Sequence, residues 1–288
     1  MGKQKETNVR MTLNSSNALW HVISGIGILF VASAIGSIAY ILPLSENIVA
    51  FLNCIIYVGI AYGLIKLYCE KVIHIKLEDC RITKPKVSPV WALCALLLPV
   101  GVSCALMCTP GIFVANSMNA SKIANIILVA LFGAGISAGV VEEMVFRGFI
   151  MRMVEERWGR VAAAIVPSVI FGLLHIINID MNLRDIILLL IAGTSVGIMF
   201  SLIVYQSGSV WSSALVHGMW NFIMIGDILD INIKHNTDAI FSYEMLSKSV
   251  ILTGGSFGVE SSIIAVIGYW IVIMVAFLLL HNEGEQCK

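Results

Sequence analysis

The sequence predicts an all-α polytopic membrane protein with about eight transmembrane helices. Two observations carry that prediction: a composition too apolar for a soluble surface, and long uncharged stretches separated by short loops. Hydrophobic residues make up 58% of the chain and charged residues 12%, against roughly 25% charged in an average soluble domain. Mean hydropathy is +0.92. So little charge cannot coat a water-facing surface, and the lipid bilayer must solvate much of it. The 18 basic and 18 acidic residues cancel. A nucleic-acid binder is expected to carry a basic excess, so no nucleic-acid partner is expected.

Apolar stretches lie near 19–42, 47–68, 89–108, 123–146, 161–179, 185–205, 211–229 and 261–281. Each approaches the roughly 20 residues that a helix needs to cross the hydrocarbon. They define one integral membrane domain over 19–281, flanked by an N-terminal tail 1–18 and a C-terminal tail 282–288. The first stretch is long enough to span and follows a polar tail, so it reads as a first transmembrane helix rather than a cleavable signal. Positive charge sets the orientation. Lys3, Lys5 and Arg10 precede the first helix. Lys71, Lys76, Arg81, Lys84 and Lys86 follow the second, and Arg147, Arg152, Arg157 and Arg160 follow the fourth. The intervening loops 43–46 and 109–121 have no Lys or Arg. Both termini are therefore expected to be cytoplasmic, with the longest loop, 230–260, outside. That loop has room for an interfacial helix. Trp20, Trp91, Trp211 and Trp270 lie mainly near span ends and read as interface anchors. The seven cysteines include no C-x-x-C pair and read as small core hydrophobes.

Ionisable side chains within spans are costly and mark function. Glu142 and Glu143 end an apolar helix. Glu143 and Arg147 are four apart and share a face, which suits an ion pair. Glu142 lies about 100° round the helix from Glu143 and is free to face a cavity. His175 closes an apolar run that begins after Pro167. His217 and Asn221, at i and i+4, project from one helix face. Each group alone has a structural account: an interfacial helix end, a core histidine, helix-packing hydrogen bonds. Together they place a carboxylate, two histidines and a carboxamide in three spans, which suggests one shared cavity. The chemistry they support is addition of water to a carbonyl. Glu142 would take the proton from water, and His175 would orient that water and later protonate the leaving amine. His217 and Asn221 would donate to the oxyanion. No G-x-S-x-G nucleophile elbow is present.

The three motifs, Glu142-Glu143-x-x-x-Arg147, Phe171-x-x-x-His175 and His217-x-x-x-Asn221, resemble those of the CAAX prenyl endopeptidase type II family. Its bacterial members are CAAX proteases and bacteriocin-processing enzymes (CPBP proteins). The resemblance covers about 123–228. It implies an eight-helix fold with a conical cavity open to the cytoplasm or the bilayer. It also implies Glu142 as the water-activating glutamate, His175 as its partner, His217 and Asn221 as the oxyanion pair, and Glu143 and Arg147 as a supporting pair. Phe171 heads the second motif. The N-terminal helices and the 230–260 loop carry no such motif and are expected to decide the substrate.

Glu142, His175 and His217 could supply three zinc ligands and leave a fourth position for water. No H-E-x-x-H pair presents two ligands from one helix, and a metal-bound Glu142 could not also be the base. The expectation is a metal-free, cofactor-free glutamate mechanism, with zinc as the alternative. The expected activity is that of a membrane-embedded peptidase acting on a membrane-associated peptide or protein tail, in a multi-pass protein of the bacterial cell membrane. A non-catalytic immunity or scaffolding protein of the same fold is the rival reading. A proton-coupled transporter would need paired repeats that the sequence does not display.

Overall fold

The computed structural model describes residues 15–177 and 180–286. Lys3, Lys5, Arg10 and Cys287 lie outside the described residues, as do most of the N-terminal tail and the end of the C-terminal one. The chain opens with α1 (Ser15–Gly36), α2 (Glu46–Tyr68) and α3 (Pro89–Met107), followed by β1 (Gly111–Ala115). A helical run then extends from Ala120 to Leu174. It comprises α4 (Ala120–Val129), a π-helical stretch Ala130–Ala138, α5 (Gly139–Glu142), a second π-helical stretch Glu143–Ile150, and α6 (Met151–Leu174). Gly159, with φ 80° and ψ 175°, breaks α6, a conformation that glycine adopts without a Cβ clash. α7 (Leu183–Ser207), α8 (Val210–Met224), β2 (Leu229–Asn232), β3 (Phe241–Met245), α9 (Val250–Thr253) and α10 (Ile263–Gln286) complete the chain.

Local chemistry fixes several boundaries. The side chains of Asn119, Asn182 and Ser209 accept from the backbone N–H of Lys122, Asp185 and Trp211, capping α4, α7 and α8. Such caps satisfy N–H groups that a helix start leaves unpaired. Pro89 stands in the first turn of α3, where its missing N–H costs nothing.

Among the described residues, six helical stretches are long and apolar enough to cross a membrane: 16–41, 46–73, 89–107, 120–174, 183–207 and 263–283. The count of six against about eight has a specific cause. The expected spans 123–146 and 161–179 fall in one run, and the second of them ends at Leu174. The expected span 211–229 becomes the 15-residue α8, which reaches only about 22 Å at 1.5 Å per residue. The two short segments are those that carry His175, His217 and Asn221.

Two apolar cores flank these segments. One gathers α1, α2 and the run 141–154, and the other gathers α3, α7, α8 and α10. Outward-facing Phe30, Leu93, Ile191 and Phe277 are each more than half exposed, which suits contact with lipid. Trp20 and Trp270 are also open, but Trp91 is fully buried, its indole N–H donating to Gln206 Oε1 at 2.6 Å. Trp91 is therefore a core residue and not an interface anchor.

Two glycines allow α8 to approach the 130–142 region. A Cβ at Gly139 would lie 2.8 Å from Gly218 Cα, and one at Gly218 would lie 2.9 Å from the Gly135 carbonyl oxygen. This contact brings Glu142 alongside His217. At one end of the bundle, β1 pairs antiparallel with β3 (Gly111 with Met245) and β2 pairs parallel with β3 (Leu229 with Phe241). The 230–260 loop thus holds most of two strands and the four-residue α9 in place of a long interfacial helix.

Candidate active site

Glu142, Phe171, His175, His217 and Asn221 all line one cavity of about 550 Å³. Glu142 stands at its edge, and the run Glu143–Ile150 that follows is buried throughout and is not part of the lining. The cavity extends from Glu142 toward the sheet, past Met224 and Ile225 to Asp230, Ile231 and Asn232 of β2, and under the loop Phe257–Glu260.

The adjacent carboxylates have separate environments. The Glu143 side chain is fully buried, whereas that of Glu142 is 22% exposed, so only Glu142 can meet water. Glu143 Oε1 accepts from Arg147 Nη1 at 3.0 Å and from His217 Nδ1 at 3.1 Å. Arg147 is fully buried, and its guanidinium carbon lies 4.4 Å from the Phe171 ring centroid and 5.1 Å from that of Phe200. Its Nε and Nη2 have no hydrogen-bond partner among the described residues. The ring faces take that role through cation–π attraction.

These contacts decide how the histidines present themselves. A carboxylate only accepts, so His217 Nδ1 carries a proton and donates it to Glu143. Its Nε2, 3.8 Å from Glu142 Oε2, faces the cavity. Phe200 stacks on the ring with centroids 4.8 Å apart and planes 18° apart, which holds that orientation. His175 Nδ1 lies 2.7 Å from the Phe171 carbonyl oxygen. It must donate there, which leaves Nε2 bare in the neutral ring. Phe171 therefore serves twice, holding His175 by its backbone and Arg147 by its ring. Asn221 Nδ2 donates to the Ala134 carbonyl at 3.2 Å. Its amide has a second N–H, and its residue lines the cavity.

The histidines satisfy part of what a zinc site requires, since each has Nδ1 tied to an acceptor and Nε2 free. The donor set is less suited. Among the described residues no three His, Cys, Asp or Glu side chains gather closely enough to hold an ion together. Glu143 is committed to Arg147 and His217, so a metal-bound Glu142 could not draw its base from that neighbouring carboxylate.

Sequence reasoning paired Glu143 only with Arg147 and did not join it to His217. It also missed Glu260, whose Oε1 accepts from Trp220 Nε1 at 3.0 Å and which lines the same cavity. The available signal was the cluster Gly254, Gly255 and Gly258 just before it, all at positive φ. Such glycines mark a tightly folded loop. Asp185 at the start of α7 clamps that loop by accepting from the Ser256 N–H at 3.1 Å and from its hydroxyl at 2.5 Å.

Neither a curated protein nor a solved structure matches the chain. Residues 124–223 match the model of the family described as Type II CAAX prenyl endopeptidase Rce1-like, a family of membrane proteases. The stretch from α4 to α8, which supplies the five motif residues of this cavity, is thus a Type II CAAX prenyl endopeptidase Rce1-like domain within an integral membrane protein.

Proposed function

We propose that this protein is an intramembrane endopeptidase that hydrolyses a peptide bond in a membrane-associated peptide or protein tail, using water activated by Glu142. The observation that carries the reading is the division of labour between neighbouring acids. Glu143 is consumed by Arg147 and His217, while Glu142 is open to the cavity with His217 Nε2 3.8 Å away.

Glu142 removes a proton from water as the water oxygen adds to the scissile carbonyl carbon. His175 Nε2, bare in the neutral ring, accepts the second hydrogen of that water and fixes its direction. The developing oxyanion receives the free N–H of Asn221. His217 can donate there from Nε2 only as the imidazolium, for which Glu143 is the counter-charge. When the intermediate collapses, the C–N bond breaks. The proton taken by Glu142 passes to the amine through His175. Glu143, Arg147 and Phe171 position the histidines and do not touch the substrate.

No step passes through a metal, so cleavage is expected to survive exhaustive chelation. Peptide cleavage followed by mass spectrometry checks this. Activity lost to chelator and restored by zinc would favour the zinc-dependent alternative. A non-catalytic immunity or scaffolding protein would retain its phenotype with Glu142→Gln.

The same reading places both termini in the cytoplasm of a bacterial cell, because the positively charged loops alternate as described. The cavity end that meets β2 then faces outside. A cysteine at Asn232 in a cysteine-free background is expected to react with a membrane-impermeant thiol reagent in intact cells. Labelling only after cell lysis would reverse the orientation.

A further inference from the structure

The cavity wall is chemically one-sided. Besides the hydrolytic groups it carries two more carboxyls, Asp230 and Glu260, and among the described residues lining it there is no Lys or Arg. Arg147 is fully buried, bound to Glu143 and outside the lining. Glu260 stands just before α10 and is held from two sides. Trp220 Nε1 donates to Oε1, and the Tyr269 hydroxyl donates to its backbone carbonyl at 3.1 Å. The Gly254–Gly258 turn behind it is tied by the Ser261 hydroxyl, which donates to the Gly254 carbonyl at 2.7 Å, and by the Asp185 clamp. The carboxyl is thus rigidly mounted and, among the described residues, receives one hydrogen bond where an ionised carboxylate can accept several. Trp220 and Tyr269 stack edge to face, 5.2 Å between centroids, and both line the cavity together with Phe257.

A desolvated carboxylate with spare acceptor capacity gains most from a charged donor. The aromatic rings nearby add attraction for the same kind of group. Burial pushes the Glu260 carboxyl above its ordinary value, against the Trp220 hydrogen bond and the neighbouring His175 and His217, which pull it down. An arriving cation would relieve that desolvation. A substrate segment bearing carboxylates would meet the opposite situation, with like charges on three sides.

We infer that Glu260 is a specificity-determining residue that seats a cationic group of the substrate, a basic side chain or a free amino terminus, beside the hydrolytic centre. This rests on the peptidase reading of the same cavity and adds the chemical class of its substrate.

The test uses the full-length protein in lipid nanodiscs and three peptide pools of one length. One is N-acetylated with a lysine, one is unacetylated without lysine, and one is N-acetylated and neutral. The quantity read is the ratio of kcat/KM for each cationic pool to that for the neutral pool, within one variant. Wild type should favour a cationic pool by about tenfold or more, the scale of a charge-assisted hydrogen bond. Whichever pool leads identifies the group as a side chain or an amino terminus. In Glu260→Gln the ratio should fall toward one, and in Glu260→Lys it should drop below one. A purely structural role would lower both rates and leave the ratio unmoved, which would overturn the inference. So would a wild-type ratio of one. Equilibrium binding of the labelled pools to Glu142→Gln and to Glu142→Gln/Glu260→Gln separates the two layers of argument. Charge-selective binding that needs Glu260, without cleavage by wild type, would sink the peptidase and keep the cation seat. Cleavage that needs Glu142 but ignores charge would do the reverse.

Discussion

Glu142→Gln is expected to lower kcat/KM for peptide cleavage by about 10²–10⁴-fold, the contribution typical of a positioned general base, while the protein still inserts and folds. The amide has nearly the shape of the carboxylate but cannot take a proton from water. Little packing depends on the replaced group. Its side chain reaches the cavity and, unlike that of Glu143, is not locked into a buried ion pair. Asn221→Ala should be milder, about 10²–10³-fold in kcat, because it removes one oxyanion donor and leaves the base in place. Purified protein compared by cleavage rate and by elution as a monodisperse species distinguishes lost chemistry from lost fold. Wild-type rates in Glu142→Gln would remove this residue from the mechanism.

Arg147→Met is expected to fail differently, by unfolding. Arg147 and Glu143 are both fully buried and 3.0 Å apart. Removing one partner of such a pair leaves a charge in an apolar setting and costs about 3–5 kcal/mol. That is a large part of the 5–15 kcal/mol that holds an ordinary domain together. Folded yield and the thermal unfolding midpoint in detergent should both drop. The double variant Glu143→Gln/Arg147→Met removes both charges and should recover most of the stability. It should remain a poor enzyme, because the His217 imidazolium then lacks its counter-charge. Recovery of stability and activity together would show that the pair is only structural.

Helical arithmetic exposed the main features of this site. The spacing of four put Glu143 and Arg147 together, and the neighbouring position turned Glu142 away from them. The spacing of His217 and Asn221 put both on the cavity face. These are local relations, set by the 3.6-residue turn, and they survive even though the structure winds 143–150 as a π-helical stretch. Relations between distant segments were harder to read. The His217–Glu143 hydrogen bond joins residues 74 apart and depends on the close passage of Gly139 over Gly218. The sheet pairs Gly111 with Met245 through strands of four or five residues, too short to show an alternating pattern. Glu260 was hidden because it lies in a loop, where no helical period assigns a face. Trp91 misled because tryptophan near a span end suits a membrane interface, yet Gln206 gives its indole N–H a partner inside the bundle.

In the proposed mechanism Glu142, His217 and Asn221 act on one substrate carbonyl as a single device. A double-mutant cycle on kcat/KM measures that unity directly, because residues that work as a unit lose activity non-additively. Adding Asn221→Ala or His217→Ala to Glu142→Gln should cost little beyond Glu142→Gln alone. Losses that simply multiply would mean that these side chains act independently, and the shared-cavity mechanism would be wrong.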